Sequence, residues 1–184
     1  MHATAQQISS AQRIVFFGVT GAGKTTAARR LSAVRGLPFI DGDSQIGFLP
    51  ATQRAWAVRP VEQQVALAAE LLGEQRWVLD TAWGPWRTLA FERADLVVCL
   101  DYSRLRTFAR LLRRTVGRSI TGARVCNGNK ETWRRSFFHR ESILRWHRQT
   151  FTRRRAQMRE LANDSCGTPV LVVRSPRQLE QALA

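Results

Sequence analysis

Apolar residues in this chain fall into short unbroken runs, separated by longer stretches where they recur every three or four positions. Arg13-Ile14-Val15-Phe16-Phe17 is the first run and ends at Gly18. Rich in β-formers, it predicts a strand buried on both faces. Trp77-Val78-Leu79, Leu96-Val97-Val98-Cys99-Leu100 and Val170-Leu171-Val172-Val173 read the same way, and Pro38-Phe39-Ile40 is a shorter version. Helical spacing between them predicts helices over 24–34, stopped by Gly36, and over 61–74. Further helices are expected over 85–93, with Pro85 in the first turn, and over 104–116, capped by Ser103. Residues 44–60 and 117–129, punctuated by glycine and proline, predict irregular chain. A helical pattern covers 131–161, with Trp133, Phe137, Leu144 and Phe151 near one face and a break expected near His139. A last helix is expected from about Pro176. Wholly apolar strands alternating with helices imply a parallel sheet covered on both faces. The fold class is α/β.

The 184 residues are 44% hydrophobic and 23% charged, a globular composition of one domain's length. No apolar run approaches the ~18 residues that a membrane span needs. The first ten residues have neither the basic cluster nor the apolar centre of a signal peptide. Cys99, Cys126 and Cys166 are scattered, with no metal spacing and no disulfide framework. A soluble cytoplasmic protein is expected, monomeric or homodimeric.

The net charge of +15 is unevenly placed. Residues 1–100 carry ten basic and eight acidic side chains, whereas 101–160 carry seventeen basic and four acidic. Only Lys24 and Lys130 are lysines. A concentrated arginine field predicts a polyanionic or phosphorylated partner for this stretch.

Gly18-Val19-Thr20-Gly21-Ala22-Gly23-Lys24-Thr25 matches G-x-x-x-x-G-K-[ST] in full, between a predicted strand and a predicted helix. Glycines allow successive N–H groups to turn toward phosphate oxygens at a helix N-terminus. Lys24 would meet the β- and γ-phosphates and Thr25 a Mg²⁺ ion. Gly18, Thr20, Gly21, Ala22, Gly23, Lys24, Thr25 and Thr26 are therefore candidate residues for ATP, the expected nucleotide.

Two strand ends offer a carboxylate for the Mg²⁺ shell, Asp80 and Asp101, and we choose Asp80. Neither is followed by a glutamate that would orient water, which favours transfer to a bound acceptor over hydrolysis. Asp41 and Asp43 follow the second strand on the sheet edge where open α/β folds bind ligands. One of them could take the proton of an attacking hydroxyl or hold the acceptor, and the spacing alone does not choose between them. Arg54 and Arg59 in the segment behind could reach an anionic acceptor but read better as solvated. Arg110, Arg114 and Arg118 recur at i, i+4 and i+8, so they share a face from which arginines can close over a triphosphate.

These residues resemble the adenylate-kinase-like P-loop kinases. A closer resemblance, to the bacterial DNA topology modulation-related P-loop proteins, covers nearly the whole chain. It rests on the P-loop, Asp41-Gly42-Asp43, Trp77-Val78-Leu79-Asp80, Arg93 to Asp101, Asn127-Gly128-Asn129-Lys130-Glu131 and Val173-Arg174-Ser175. The resemblance implies a three-layer α/β/α sandwich, a five-stranded sheet of order 2-3-1-4-5, and an arginine-rich helical lid at about 114–135 between the fourth and fifth strands. It implies that Arg110 lies against adenine, that Arg114 binds phosphate, and that Arg174-Ser175-Pro176 borders the base. The acceptor segment 44–60 departs from the nucleotide kinases in being short and lacking their monophosphate signature. Asp80-Thr81 stands where they have Asp-Gly.

The expected activity is transfer of the γ-phosphate of Mg·ATP to a small-molecule acceptor. Lys24, Asp41 or Asp43, Arg114 and Arg118 would carry it. The alternative is an ATP-dependent nucleic-acid-binding protein using 101–160, where Trp133, Phe137, Phe138 and Trp146 interleave with arginines.

Overall fold

The computed structural model describes residues 2–130, 132, 142–164 and 167–183. Five parallel strands form the central sheet: β1 (Arg13–Gly18), β2 (Phe39–Ile40), β3 (Trp77–Leu79), β4 (Leu96–Leu100) and β7 (Val170–Val173). Their order is β2-β3-β1-β4-β7. This is the expected 2-3-1-4-5 arrangement, with two extra short strands, β5 (Arg124–Val125) and β6 (Asn129–Lys130), counted before the last one.

Alternate residues of β1 supply two separate cores, which is why the run is apolar throughout. Val15 and Phe17 face a core completed by α3 (Val61–Leu71), α4 (Arg87–Arg93) and α6 (Ile143–Asn163). Ile14 and Phe16 face the opposite core, with α1 (Ala5–Ser10), α2 (Lys24–Arg35) and α7 (Pro176–Leu183). The sandwich thus has three layers, α/β/α.

Several boundaries differ from the sequence expectations. Helix α1 was not predicted; Thr4 and Gln7 form a capping box at its start, but none of its six residues is buried. Helix α5 (Arg104–Thr121) runs through Gly117, the expected stop, and ends at Gly122, whose φ of +60° or so (63°) suits a left-handed cap. Residues 117–129 are consequently the last turn of α5 and an antiparallel β5–β6 hairpin, not an irregular loop. Segment 44–60 begins in a tight π-helical turn (Gly42–Gly47) and closes through a bridge between Phe48 and Val58. Ser142 caps α6. Glu131, Trp133, Phe137, Phe138, His139 and Cys166 lie outside the described residues.

All five strands deliver their carboxyl ends to one edge. Gly18 closes β1, and Asp41, Asp80, Asp101 and Arg174 follow β2, β3, β4 and β7 respectively, so sequence-distant groups converge there.

Candidate active site

The turn from β1 to α2 carries the glycine-rich motif. Gly21 and Gly23 have φ of +84° and +94°, conformations that aim backbone N–H groups inward. A Cβ on Gly21 would overlap the Thr107 carbonyl oxygen of α5, so only glycine fits where helix and loop meet. The positive end of the α2 dipole adds to the anion-attracting field. Lys24 Nζ donates to the carbonyls of Gly18 and Val19, each at 3.1 Å. Burial pushes its ammonium down to about 8; Asp80 and Asp43 oppose the shift, and Arg154 and Arg114 add to it.

Thr25 Oγ1 donates to Asp80 Oδ2 at 2.5 Å. Asp80 Oδ1 accepts from Gly42 N at 3.0 Å, and the residue is 3% exposed. Burial raises this carboxyl to about 6, against the hydrogen bond from Thr25. A hydroxyl and a carboxylate side by side suit a hard cation that keeps most of its ligands as water and phosphate, as Mg²⁺ does. Among the described residues no group of three or more His, Cys, Asp or Glu forms a protein-only metal cage. Asp101, the other strand-end carboxylate, is engaged elsewhere: Arg155 Nε and its NH2 nitrogen donate to its two oxygens at 2.5 and 3.0 Å, tying α6 to β4.

Asp41 and Asp43 part company in the structure. Asp41 caps the π-helical turn, accepting from Ser44 N at 3.0 Å, with Arg29 at 3.5 Å from its other oxygen. Both line the cleft, but Asp43 is held by other partners: Oδ1 accepts from the Trp83 indole at 2.8 Å, and Oδ2 lies 3.9 Å from Cys126 Sγ. Burial raises the Asp43 carboxyl, while Trp83, Lys24 and Arg114 favour its charged form.

The cleft over the sheet edge has a volume of about 2180 Å³, beyond the ~300–1,000 Å³ of a single small-molecule pocket. Thr20, Ala22, Thr26, Arg110, Arg114, Arg118 and Pro176 all line it. Arg110 lies with its guanidinium 5.7 Å from the Tyr102 ring and donates to Ala22 O at 3.4 Å. Arg174 is exposed and outside the cleft wall; its N–H donates to Gln178 at 2.7 Å. Arg54 is exposed, and neither it nor Arg59 lines the cleft.

Two groups at the site escaped the sequence reading. Arg154 of α6 sits 5.2 Å from the centre of the Phe17 ring, lines the cleft and is near enough to Lys24 to act on its ammonium. Burial lowers its guanidinium, and Arg87 and Arg153 lower it further, a cluster that a bound anion would relieve. Nothing marks Arg154 among seventeen basic residues in its region, because its role depends on how α6 docks. The second group is an aromatic wall. Phe48 has its ring centre 6.2 Å from Trp56 and 6.0 Å from Trp83, and all three line the cleft beside Asp43.

No family model matches the chain, and no curated protein matches it. Solved structures do match in fold. A shikimate kinase from Acinetobacter baumannii in complex with shikimate has a TM-score of 0.57 at 18% identity, over 97% of this chain and 93% of that one. A gluconokinase from Sinorhizobium meliloti has a TM-score of 0.51 at 18% identity, over 94% and 91%. A deoxyadenosine kinase from M. mycoides, with dCMP and dCDP bound, has a TM-score of 0.51 at 12% identity, over 92% and 94%. The fold of this chain is that of the P-loop kinases. None of the three bears on the likeness to DNA topology modulation-related proteins.

Proposed function

We propose that the protein is a phosphotransferase that moves the γ-phosphate of Mg·ATP to a small-molecule acceptor. The observation that carries the reading is the Thr25–Asp80 pair set beside Lys24 of the P-loop, with the Asp43 carboxylate in the same cleft. The P-loop N–H groups and Lys24 hold the β- and γ-phosphates. Thr25, and Asp80 through water, would hold Mg²⁺, which neutralises charge on the phosphate oxygens. Arg110, Tyr102 and Pro176 line the end of the cleft suited to the base.

The acceptor lies by Asp43, between the aromatic wall and the phosphates. Its hydroxyl oxygen attacks phosphorus in line and its proton passes to Asp43. The new P–O bond forms as the bond to the β–γ bridging oxygen breaks, leaving ADP. Arg114, Arg118 and Arg154 stabilise the charge that spreads over the transferring group. That the fold neighbours are kinases named for gluconate, shikimate and deoxyadenosine supports a small-molecule acceptor. The basic region favours this reading over a nucleic-acid surface, since at least seven of its cations, including Arg113, Arg124 and Arg153, line the cleft.

Calorimetric titration with a non-hydrolysable ATP analogue tests the first half of the proposal. Saturable binding strengthened by Mg²⁺ and abolished by Lys24→Ala is expected. Binding indifferent to both would refute it.

A further inference from the structure

The β5–β6 hairpin lines the cleft through Arg124, Val125 and Cys126, and its tip is hydrogen-bonded to the acceptor segment. Asn127 N donates to Ser44 Oγ at 3.2 Å, and Asn127 Nδ2 donates to Phe48 O at 3.1 Å. In return, Ala51 N donates to Asn127 O at 2.9 Å. Asn129 is 1% exposed, and both ends of its amide are used. Its Oδ1 accepts from Trp56 N at 2.5 Å, and its Nδ2 donates to Cys126 O at 2.6 Å.

These bonds fall on the residues that carry the aromatic wall. Trp56 has φ of +58°, a left-handed conformation that a bulky residue adopts only when its surroundings impose it. The Asn129 carboxamide supplies that imposition by taking the Trp56 N–H. Asn127 grips Phe48 through its carbonyl, and the preceding Cys126 meets Asp43. One four-residue turn therefore touches the carboxylate and two of the three aromatic residues.

We propose that Asn127 and Asn129 are positioning residues for the acceptor: docking of the hairpin tip builds the Phe48–Trp56 wall, and because Arg124 of the same hairpin lines the cleft together with the P-loop, nucleotide binding and completion of the acceptor chamber are coupled. The coupling rests on the phosphotransferase reading; the docking geometry stands without it. Linkage makes the effect reciprocal, with nucleotide raising affinity for acceptor and acceptor raising affinity for nucleotide by the same factor. A kinase gains from this arrangement, because the γ-phosphate is committed only when an acceptor chamber exists to receive it.

Hydrogen exchange reads the contacts directly, since the Ala51 and Trp56 amides donate into the tip. A non-hydrolysable ATP analogue with Mg²⁺ should slow exchange at both at least threefold, together with the amides of residues 21–25, which report nucleotide binding itself. Asn129→Ala should speed the Trp56 amide at least tenfold and abolish the nucleotide effect on it, while protection at 21–25 persists. Asn127→Gly keeps the left-handed backbone and removes only the bond to Phe48, so it serves if Asn129→Ala melts early. In turnover, both variants should raise the acceptor KM at least tenfold, and the gain in ATP affinity that acceptor brings should fall toward onefold. Nucleotide protection at 21–25 without any change at 51 and 56 would overturn the coupling. Unchanged exchange at Trp56 in Asn129→Ala would overturn the docking role. Absence of protection at 21–25 would instead count against the phosphotransferase reading, and the Asn129→Ala comparison would still decide the docking.

Discussion

Thr25 and Asp80 stand 55 positions apart in the chain, yet the threonine hydroxyl donates to the carboxylate at 2.5 Å. One closes the P-loop and the other directly follows β3, and the parallel pairing of β1 with β3 brings them together. The carboxylate is buried and held part-way toward its neutral form. A buried carboxylate held this way costs the empty fold stability, as the proposed Mg²⁺ role would require.

Asp80→Asn should therefore separate function from stability. The amide can keep both hydrogen bonds, accepting from Gly42 and donating to Thr25, without a buried charge. We expect the nucleotide-free protein to gain about 1–3 kcal/mol at pH 7, or about 2–8 °C in Tm. The Mg²⁺-dependent part of nucleotide binding should fall at least tenfold. Calorimetric melting and titration check the two halves.

The same carboxyl sets a pH dependence. Its folded value of about 6 lies above the ordinary 3.8, so the folded state holds the proton more tightly than the unfolded chain. Its contribution to stability is flat above pH 6, grows as pH falls from 6 toward 3.8, and is constant below that. In the proposed role only the ionised form of Asp80 serves Mg²⁺, so Mg²⁺ enhancement of nucleotide binding should decline below about pH 6. Titrations at pH 5 and 7.5 in wild type and Asp80→Asn should show the decline only in wild type.

Lys24 titrates on the opposite side of neutrality. Its value is lowered from 10.5 to about 8, so the unfolded chain binds the proton more tightly between those limits. Stability of the nucleotide-free protein should rise across pH 8 to 10.5 from this group. Nucleotide affinity should fall over the same range as the ammonium is lost. Lys24→Ala should remove that affinity slope along with most of the binding.

Asp41 and Asp43 should respond differently to mutation. Asp43→Asn is expected to lower kcat about 10²–10⁴-fold, the usual size of a general-base effect, with nucleotide affinity within twofold of wild type. Asp41→Ala removes a turn cap and should cost about 1 kcal/mol in stability with a far smaller effect on kcat. Equal losses in kcat would contradict the assignment.

Much of this was legible in the chain, for identifiable reasons. The runs at 13–17, 77–79, 96–100 and 170–173 announce buried strands because both of their faces meet helices. The P-loop is a local device, set by φ angles and a helix N-terminus, so its spacing suffices to find it. What stayed hidden depends on packing. Gly117 looks like a helix stop, but α5 continues past it and the left-handed cap falls on Gly122. The separation of Asp43 from Asp41 rests on Trp83, forty residues away from its partner. Arg154 and the tip of the β5–β6 hairpin gain meaning only from the elements they meet.

Asp101 offers a control for the choice of Asp80. Its partner Arg155 locks α6 to the end of β4, so Arg155→Ala should destabilise the protein by about 1–3 kcal/mol, short of the cost of breaking a fully buried pair. The Mg²⁺ dependence of nucleotide binding should stay as in wild type. Denaturant unfolding, paired with the same titration, checks both.

Phosphoryl transfer from γ-labelled ATP with Mg²⁺, across a panel of nucleosides, nucleotides, sugars and hydroxylated metabolites, tests the central claim most directly. Lys24→Ala and Asp43→Asn run alongside. The account predicts label in an acceptor from the panel, lost in both variants. Label appearing only as free phosphate, at a rate raised by nucleic acid, would contradict it.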